Sequence, residues 1–166
     1  MDTRRVALDV KIYGSRGSMP LSGKKNARYG GNTACIKMET AGRTVIIDCG
    51  SGIAGYHADI APLLARGQAL KLDILVSHLH LDHIIGLPAF SPLYKSGHDI
   101  HIYTKSRDDR PLAAQIFGVF KPPYWPVALE EKNRATCVAV SENAPFFLDG
   151  EIRVTPFPAR HPDGNG

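Results

Sequence analysis

His78-Leu79-His80-Leu81-Asp82-His83 places three imidazoles and a carboxylate within six residues, with leucine at both spacer positions. Neutral imidazole and carboxylate are the donor set for zinc, iron or manganese. In an extended chain, side chains two residues apart share a face, so His78 and His80 are expected to grip one ion. Asp82 and His83 are adjacent, so they are expected to point elsewhere and to serve a second ion. A lone histidine would be read first as a surface or satisfied core residue. Four metal-capable side chains at this spacing argue against that reading.

The segment also stands where a site belongs. It follows Leu72-Asp73-Ile74-Leu75-Val76-Ser77, a short apolar run with the character of a buried strand. Ligands of α/β folds gather just beyond the carboxyl ends of such strands. Working outward, strands are expected over 6–13, 35–40 and 44–49, with Ala41-Gly42-Arg43 as a tight hairpin connection. A helix is expected over 53–66, with Ile53, Ile60, Leu63 and Leu64 as its inner stripe and Gly67 as its stop. A short helix over 84–90 should carry the chain away from the histidines. A strand over 99–103, a helix over 111–120 with Pro111 near its start, and strands over 136–140 and 152–156 complete the reading. No internal repeat, linker or low-complexity tract interrupts it.

Composition narrows the class. At 166 residues and 43% apolar, the chain can bury a single core. No run approaches the roughly 18 apolar residues of a membrane span. Met1 to Val10 alternates like a strand and has no signal-peptide apolar region. Cys35, Cys49 and Cys137 lack a zinc-type spacing and read as small buried residues in a reducing, cytoplasmic setting. The net charge of +4 is mild. Arg4, Arg5, Lys24, Lys25 and Arg28 enrich the N-terminal part in positive charge. They read as solvated surface, with attraction of a phosphate-bearing substrate as the functional alternative.

These segments together resemble the metallo-β-lactamase superfamily of metallohydrolases. Besides His-x-His-x-Asp-His, the likeness rests on Gly14-Ser15-Arg16-Gly17-Ser18-Met19-Pro20 and on Tyr29-Gly30-Gly31-Asn32-Thr33-Ala34-Cys35. It rests also on Ile46-Ile47-Asp48-Cys49-Gly50-Ser51-Gly52, similar to the family's Asp-x-Gly turn, and on His161-Pro162, 78 residues after His83. The combination looks most like the phosphodiesterase and RNase Z-like branch. The resemblance implies an α/β fold, an αββα sandwich of two sheets, of which residues 1–166 would be the N-terminal part of a hydrolase domain. It implies that His78, His80 and His161 hold a first ion and that Asp82 and His83 begin a second site. Two ions are implied in the complete fold, Zn²⁺ with Mn²⁺ or Fe as alternatives. A bridging Asp and a last His would lie beyond Gly166. Asp163, the only acidic residue after His161, stands where this branch usually has Gly and is not expected to bridge.

The implied reaction is hydrolysis of a phosphodiester by a metal-activated hydroxide, on a small phosphodiester or nucleotide-type substrate. Asp82 is the candidate catalytic residue, as a ligand that also helps to orient the hydroxide. Asp48 is expected to fix the turn or to hold an imidazole N–H. Thioester or lactone hydrolysis on the same scaffold, and a silent module that binds metal or a partner without turnover, are the alternatives. No membrane partner is expected. An uncovered apolar sheet face is expected to drive homo-oligomer formation or association with a missing C-terminal segment.

Two further motifs point elsewhere. Gly50-Ser51-Gly52-Ile53-Ala54-Gly55 matches the Gly-x-Gly-x-x-Gly of dinucleotide folds. The strand that would carry a ribose-binding acid ends instead in Ser77-His78, so these glycines read as turn residues. Lys121-Pro122-Pro123-Tyr124-Trp125-Pro126 has the composition of a polyproline ligand. It is read here as a structured loop bordering the active site.

Overall fold

Six strands run through one mixed sheet in the order in which they occur along the chain. They are β1 (Asp9–Gly14), β2 (Cys35–Thr40), β3 (Arg43–Ile47), β4 (Lys71–Leu75), β5 (Asp99–Lys105) and β6 (Thr136–Val140). The computed structural model describes residues 7–40 and 42–161. Strands β1 to β3 form an antiparallel meander, and β3 to β6 run parallel. Thr40 pairs with Arg43, so the β2–β3 connection has two residues, with Gly42 at φ +74°. That is the left-handed backbone a tight hairpin needs and glycine supplies without steric cost.

Register decides which side chains face the helices. Ile46, Ile74 and Ile102 align across β3, β4 and β5, and each is fully buried. Full burial of one such side chain is worth about 1.5–3 kcal/mol. Helix α1 (Ile53–Ala65) packs on this face through Ile53, Tyr56 and Ile60. Tyr56 meets Tyr13 edge-on at 5.9 Å and Phe90 at 6.1 Å. The inner stripe keeps Ile53 and Ile60 as expected, with Leu64 half-buried against the core, while Tyr56 joins it and Leu63 does not reach the core cluster. An aromatic ring carries enough apolar area to occupy an inner position.

The opposite face carries Ile47, Leu75 and Tyr103 in one aligned row, and Val45, Asp73 and His101 in the next. A separate antiparallel hairpin lies against it, β7 (Phe146–Leu148) and β8 (Ile152–Val154). Phe146 stacks on Tyr103 at 5.2 Å. Along β1 the same face is bare, with Val10 52% and Ile12 63% exposed. Helices on one face and a partly covered apolar face on the other give the α/β arrangement expected, as part of a two-sheet sandwich.

The segment after β4 departs from expectation. The helix begins within the histidine motif, as α2 (Leu81–Ile84), and gives way to 3₁₀ turns at Leu87–Ala89 and Ser91–Tyr94. Pro88 and Pro92 have no N–H to continue an α-helical ladder. Helices α3 (Leu112–Phe117) and α4 (Leu129–Lys132) close the same layer, α3 being shorter than the 111–120 expected. Strand β8 stops at Val154 rather than Pro156, and β7 and α4 were not foreseen. The expected start of β1 at Val6 falls outside the described residues. Among those described, no helix is long and apolar enough to cross a membrane.

Candidate metal centre

Three turns meet at the carboxyl ends of β3 and β4. Asp48 follows β3 with φ +61°, a left-handed conformation that Asp tolerates better than most side chains. Its N–H bonds to Leu75 O at 2.9 Å, which ties the end of β3 to the end of β4. Asp48 is 6% exposed, and three groups hydrogen-bond to its carboxylate. Ser77 N donates to Oδ1 at 2.8 Å, Ser77 Oγ donates to Oδ1 at 2.9 Å, and His83 Nδ1 stands 2.8 Å from Oδ2. A carboxylate facing Nδ1 selects the proton there and leaves Nε2 as the free donor atom. That bond is the main reason the His83 pKa is raised.

His78 and His80 occupy the extended stretch before α2, His80 having φ −65° and ψ 148°. Their rings lie 4.6 Å apart, and His161 comes within 4.6 Å of His78 and 4.7 Å of His80. One ligand atom from each of the three lies within 4.8 Å of the others. A tetrahedral ion with bonds of about 2.1 Å needs nitrogens about 3.4 Å apart, so modest ring rotations close the set. His78 Nε2 is buried and has no hydrogen-bond partner among the described residues. Buried polar atoms are usually satisfied, so an unpartnered Nε2 on one member of this histidine cluster fits a coordination position. Burial, followed by the neighbouring imidazoles, lowers the His78 pKa and favours the neutral ring that ligates.

Asp82 and His83 lie in the first turn of α2, about 100° apart around the helix rather than on opposite sides. His83 consequently stays in the cluster, its ring 4.1 Å from His78 and its Nε2 3.5 Å from Asp82 Oδ2. The extended geometry expected for the whole motif holds for 78–80 and ends where the helix starts. Asp82 Oδ2 accepts the Ser18 N–H at 2.8 Å. Burial pushes the Asp82 carboxyl up, but the Ser18 amide and His83 outweigh it and the net shift is downward. Ser18 itself has φ +66°. The site thus gathers His78, His80, Asp82, His83 and His161. Asp163 lies outside the described residues.

Ser77 and the Ser18 amide were not foreseen. Ser77 was legible as the residue before the motif. A main-chain contact from a loop 64 residues away leaves no trace in side-chain pattern.

The glycines of the apparent dinucleotide signature have a packing role. A Cβ on Gly50 would stand 2.3 Å from Asp82 O, and one on Gly86 2.2 Å from Gly50 O. Cys49 N bonds His83 O at 2.7 Å and Gly86 N bonds Cys49 O at 2.8 Å. The β3–α1 turn and α2 cross with no room for side chains, which locks the motif helix onto the end of β3.

A cavity of about 600 Å³ opens beside His78 and His161. Ile47, Leu75 and Tyr103 line it from the sheet, and Phe146, Val154 and Phe157 from the hairpin and the chain that follows. Residues 121–126 are not among its lining, contrary to the expectation of a loop bordering the site. Trp125 packs against the core instead.

Comparison with known proteins agrees with this geometry. Residues 43–166 match the model of the beta-lactamase superfamily domain. Ribonuclease Z of Clostridium perfringens is 32% identical over 99 residues, 58% of this chain and 27% of that protein. Ribonuclease Z of Bradyrhizobium diazoefficiens is 40% identical over 65 residues, 37% of this chain and 20% of that protein. In structure, the metallo-beta-lactamase fold protein YhfI of Bacillus subtilis aligns with a TM-score of 0.62 at 18% identity, over 93% of this chain and 54% of YhfI. A diphosphatase from the PhnP family aligns with a TM-score of 0.57 at 18% identity, over 87% and 55%. The chain therefore spans about half of these structures and about a quarter or less of the two ribonucleases. Fold, motif order and family match converge: the chain belongs to the beta-lactamase superfamily, and its fold is that of the metallo-β-lactamases.

Proposed function

We propose that the chain supplies the metal-binding part of a hydrolase that cleaves phosphodiester bonds. The observation that carries this reading is the partnerless, buried Nε2 of His78, converging with His80 and His161. These three would hold one divalent ion, Zn²⁺ or alternatively Mn²⁺ or Fe, and Asp82 and His83 would begin the site of a second. Bound divalent ions supply Lewis acidity and bring the pKa of water to about 7.

The chain's own residues prepare that chemistry. Asp48 keeps the His83 proton on Nδ1 and so presents Nε2. Ser77 ties Asp48 to the start of the motif. Asp82, held by the Ser18 amide, keeps an ionised carboxylate beside His83 that would serve as a ligand and help to orient the attacking water. The names of the relatives, ribonuclease and diphosphatase, support a phosphorus ester as substrate. The three free cysteines, two of them buried, suit a reducing cytoplasmic location. The apolar lining of the cavity favours a second reading, an acyl thioester or lactone with its chain along Leu75 and Phe146.

The test is hydrolysis of bis(p-nitrophenyl) phosphate by the full-length protein with added Mn²⁺ or Zn²⁺, beside an acyl thioester and a lactone. Turnover of the phosphodiester, lost in His80→Ala, is the expected result. Turnover confined to the thioester or lactone would replace this reading with the second.

A further inference from the structure

Among the described residues, hairpin β7–β8 shares no strand pairing with the six-stranded sheet, so no backbone ladder fixes it there and side-chain contacts take that part. Its turn is Asp149-Gly150, at φ +46° and +76°, closed by Glu151 N on Leu148 O at 3.1 Å. The Asp149 carboxylate is ion-paired with Arg43, at the first position of β3, and with Lys71, at the first position of β4. The Arg43 side chain is 11% exposed and also pairs with Asp73, whose side chain is 3% exposed. One nearly buried guanidinium thus joins the tip of the hairpin to the interior of the sheet.

From that anchor β8 runs towards the carboxyl ends of β3 and β4. Thr155, Pro156, Phe157 and Ala159 line the cavity together with Ile47 and Leu75, and the path ends at His161. Among the described residues no strand or helix covers 155–161. Pro156 and Pro158 stiffen the segment. Pro156 O also accepts Asn143 N at 2.8 Å, which closes the base of the hairpin. The place of His161 is therefore inherited from the hairpin.

We infer that Arg43 and Asp149 are a positioning pair that holds His161 within reach of His78 and His80. The inference rests on His161 belonging to the proposed metal site. Its test keeps the two ideas apart by measuring ring contacts in the metal-free chain and metal affinity separately.

Asp149→Asn is the decisive variant. Asn-Gly favours this turn at least as well as Asp-Gly, so only the charge is lost. Arg43→Met is a second variant, but it leaves Asp73 buried without its partner and can unfold the chain. With histidine-labelled, metal-free protein, nuclear Overhauser contacts between the His161 ring and those of His78 and His80 should be present in the wild type and lost in Asp149→Asn. Affinity for Co²⁺ should fall about tenfold in the same variant, the lower range for loss of a group that supports a ligand. Arg153→Ala, which removes an exposed cation from the same hairpin, should keep both.

Retained ring contacts in Asp149→Asn, their absence in the wild type, or their loss in Arg153→Ala would each overturn the inference. Wild-type protein that shows the contacts, loses them in Asp149→Asn and binds no metal would sink the functional reading and leave the positioning pair standing.

Discussion

His83 Nδ1 stands 2.8 Å from Asp48 Oδ2, and this bond joins the histidine motif to a turn 35 residues earlier. The Asp48 carboxylate favours the protonated ring and raises the His83 pKa above its ordinary 6.5. A raised folded pKa contributes stability that is complete below the unfolded value and is lost as pH rises through the folded one. In EDTA, the stability lost in His83→Gln should thus be larger at about pH 5.5 than at about pH 8.5. Urea denaturation of both proteins at the two pH values measures it. An equal loss at both would show that the pair adds nothing to the fold.

Metal content tests the histidine cluster directly. The wild type, loaded with Zn²⁺ and passed through a desalting column, should retain about one equivalent or more. His80→Ala should retain little, because two imidazoles hold a divalent ion far more weakly than three. Equal content in the two proteins, by elemental analysis, would remove His80 from the site.

Gly86 touches Gly50 O and the Ile53 side chain so closely that a methyl group would stand 2.2–2.3 Å from each. The Gly50 carbonyl is main chain and cannot rotate aside. Gly86→Ala should therefore destabilise the chain by about 1–3 kcal/mol or more through forced displacement of α2 from β3. Chemical denaturation reads the loss. A neutral substitution would mean that the crossing is looser than described.

The bare side of β1 has a consequence in solution. Val10 and Ile12 lie on one face of an edge strand, each more than half exposed. Apolar edge strands recruit other chains unless a charge blocks them. The purified chain is expected to self-associate in concentration-dependent light scattering, and Ile12→Lys to reduce that association. An unchanged scattering profile would place the contact elsewhere.

Thiol chemistry checks the core. Burial pushes the Cys35 thiol up to about 12 and Cys137 up to about 11, and raises Cys49 as well. The thiolate is the reactive form. At about pH 8 all three should resist Ellman's reagent in the folded chain and react only after denaturation. Rapid labelling of the native protein would contradict the burial of Cys35 and Cys49.

Local pattern carried much of this protein. The four donors in 78–83, the apolar run before them and the turn residues at Gly42 and Gly67 act through neighbours in the chain. Period, propensity and ligand spacing report such effects, which is why β2, β6 and the start of α1 fall where the sequence places them. Tertiary structure alone decided the rest. It started α2 within the motif, which kept His83 beside His78 instead of turning it away. It brought the Ser18 amide onto Asp82 across 64 residues and Asp149 onto Arg43 across 106. Backbone amides carry no side-chain signature, and an ion pair between a strand and a distant turn depends on a packing register that neither segment encodes by itself.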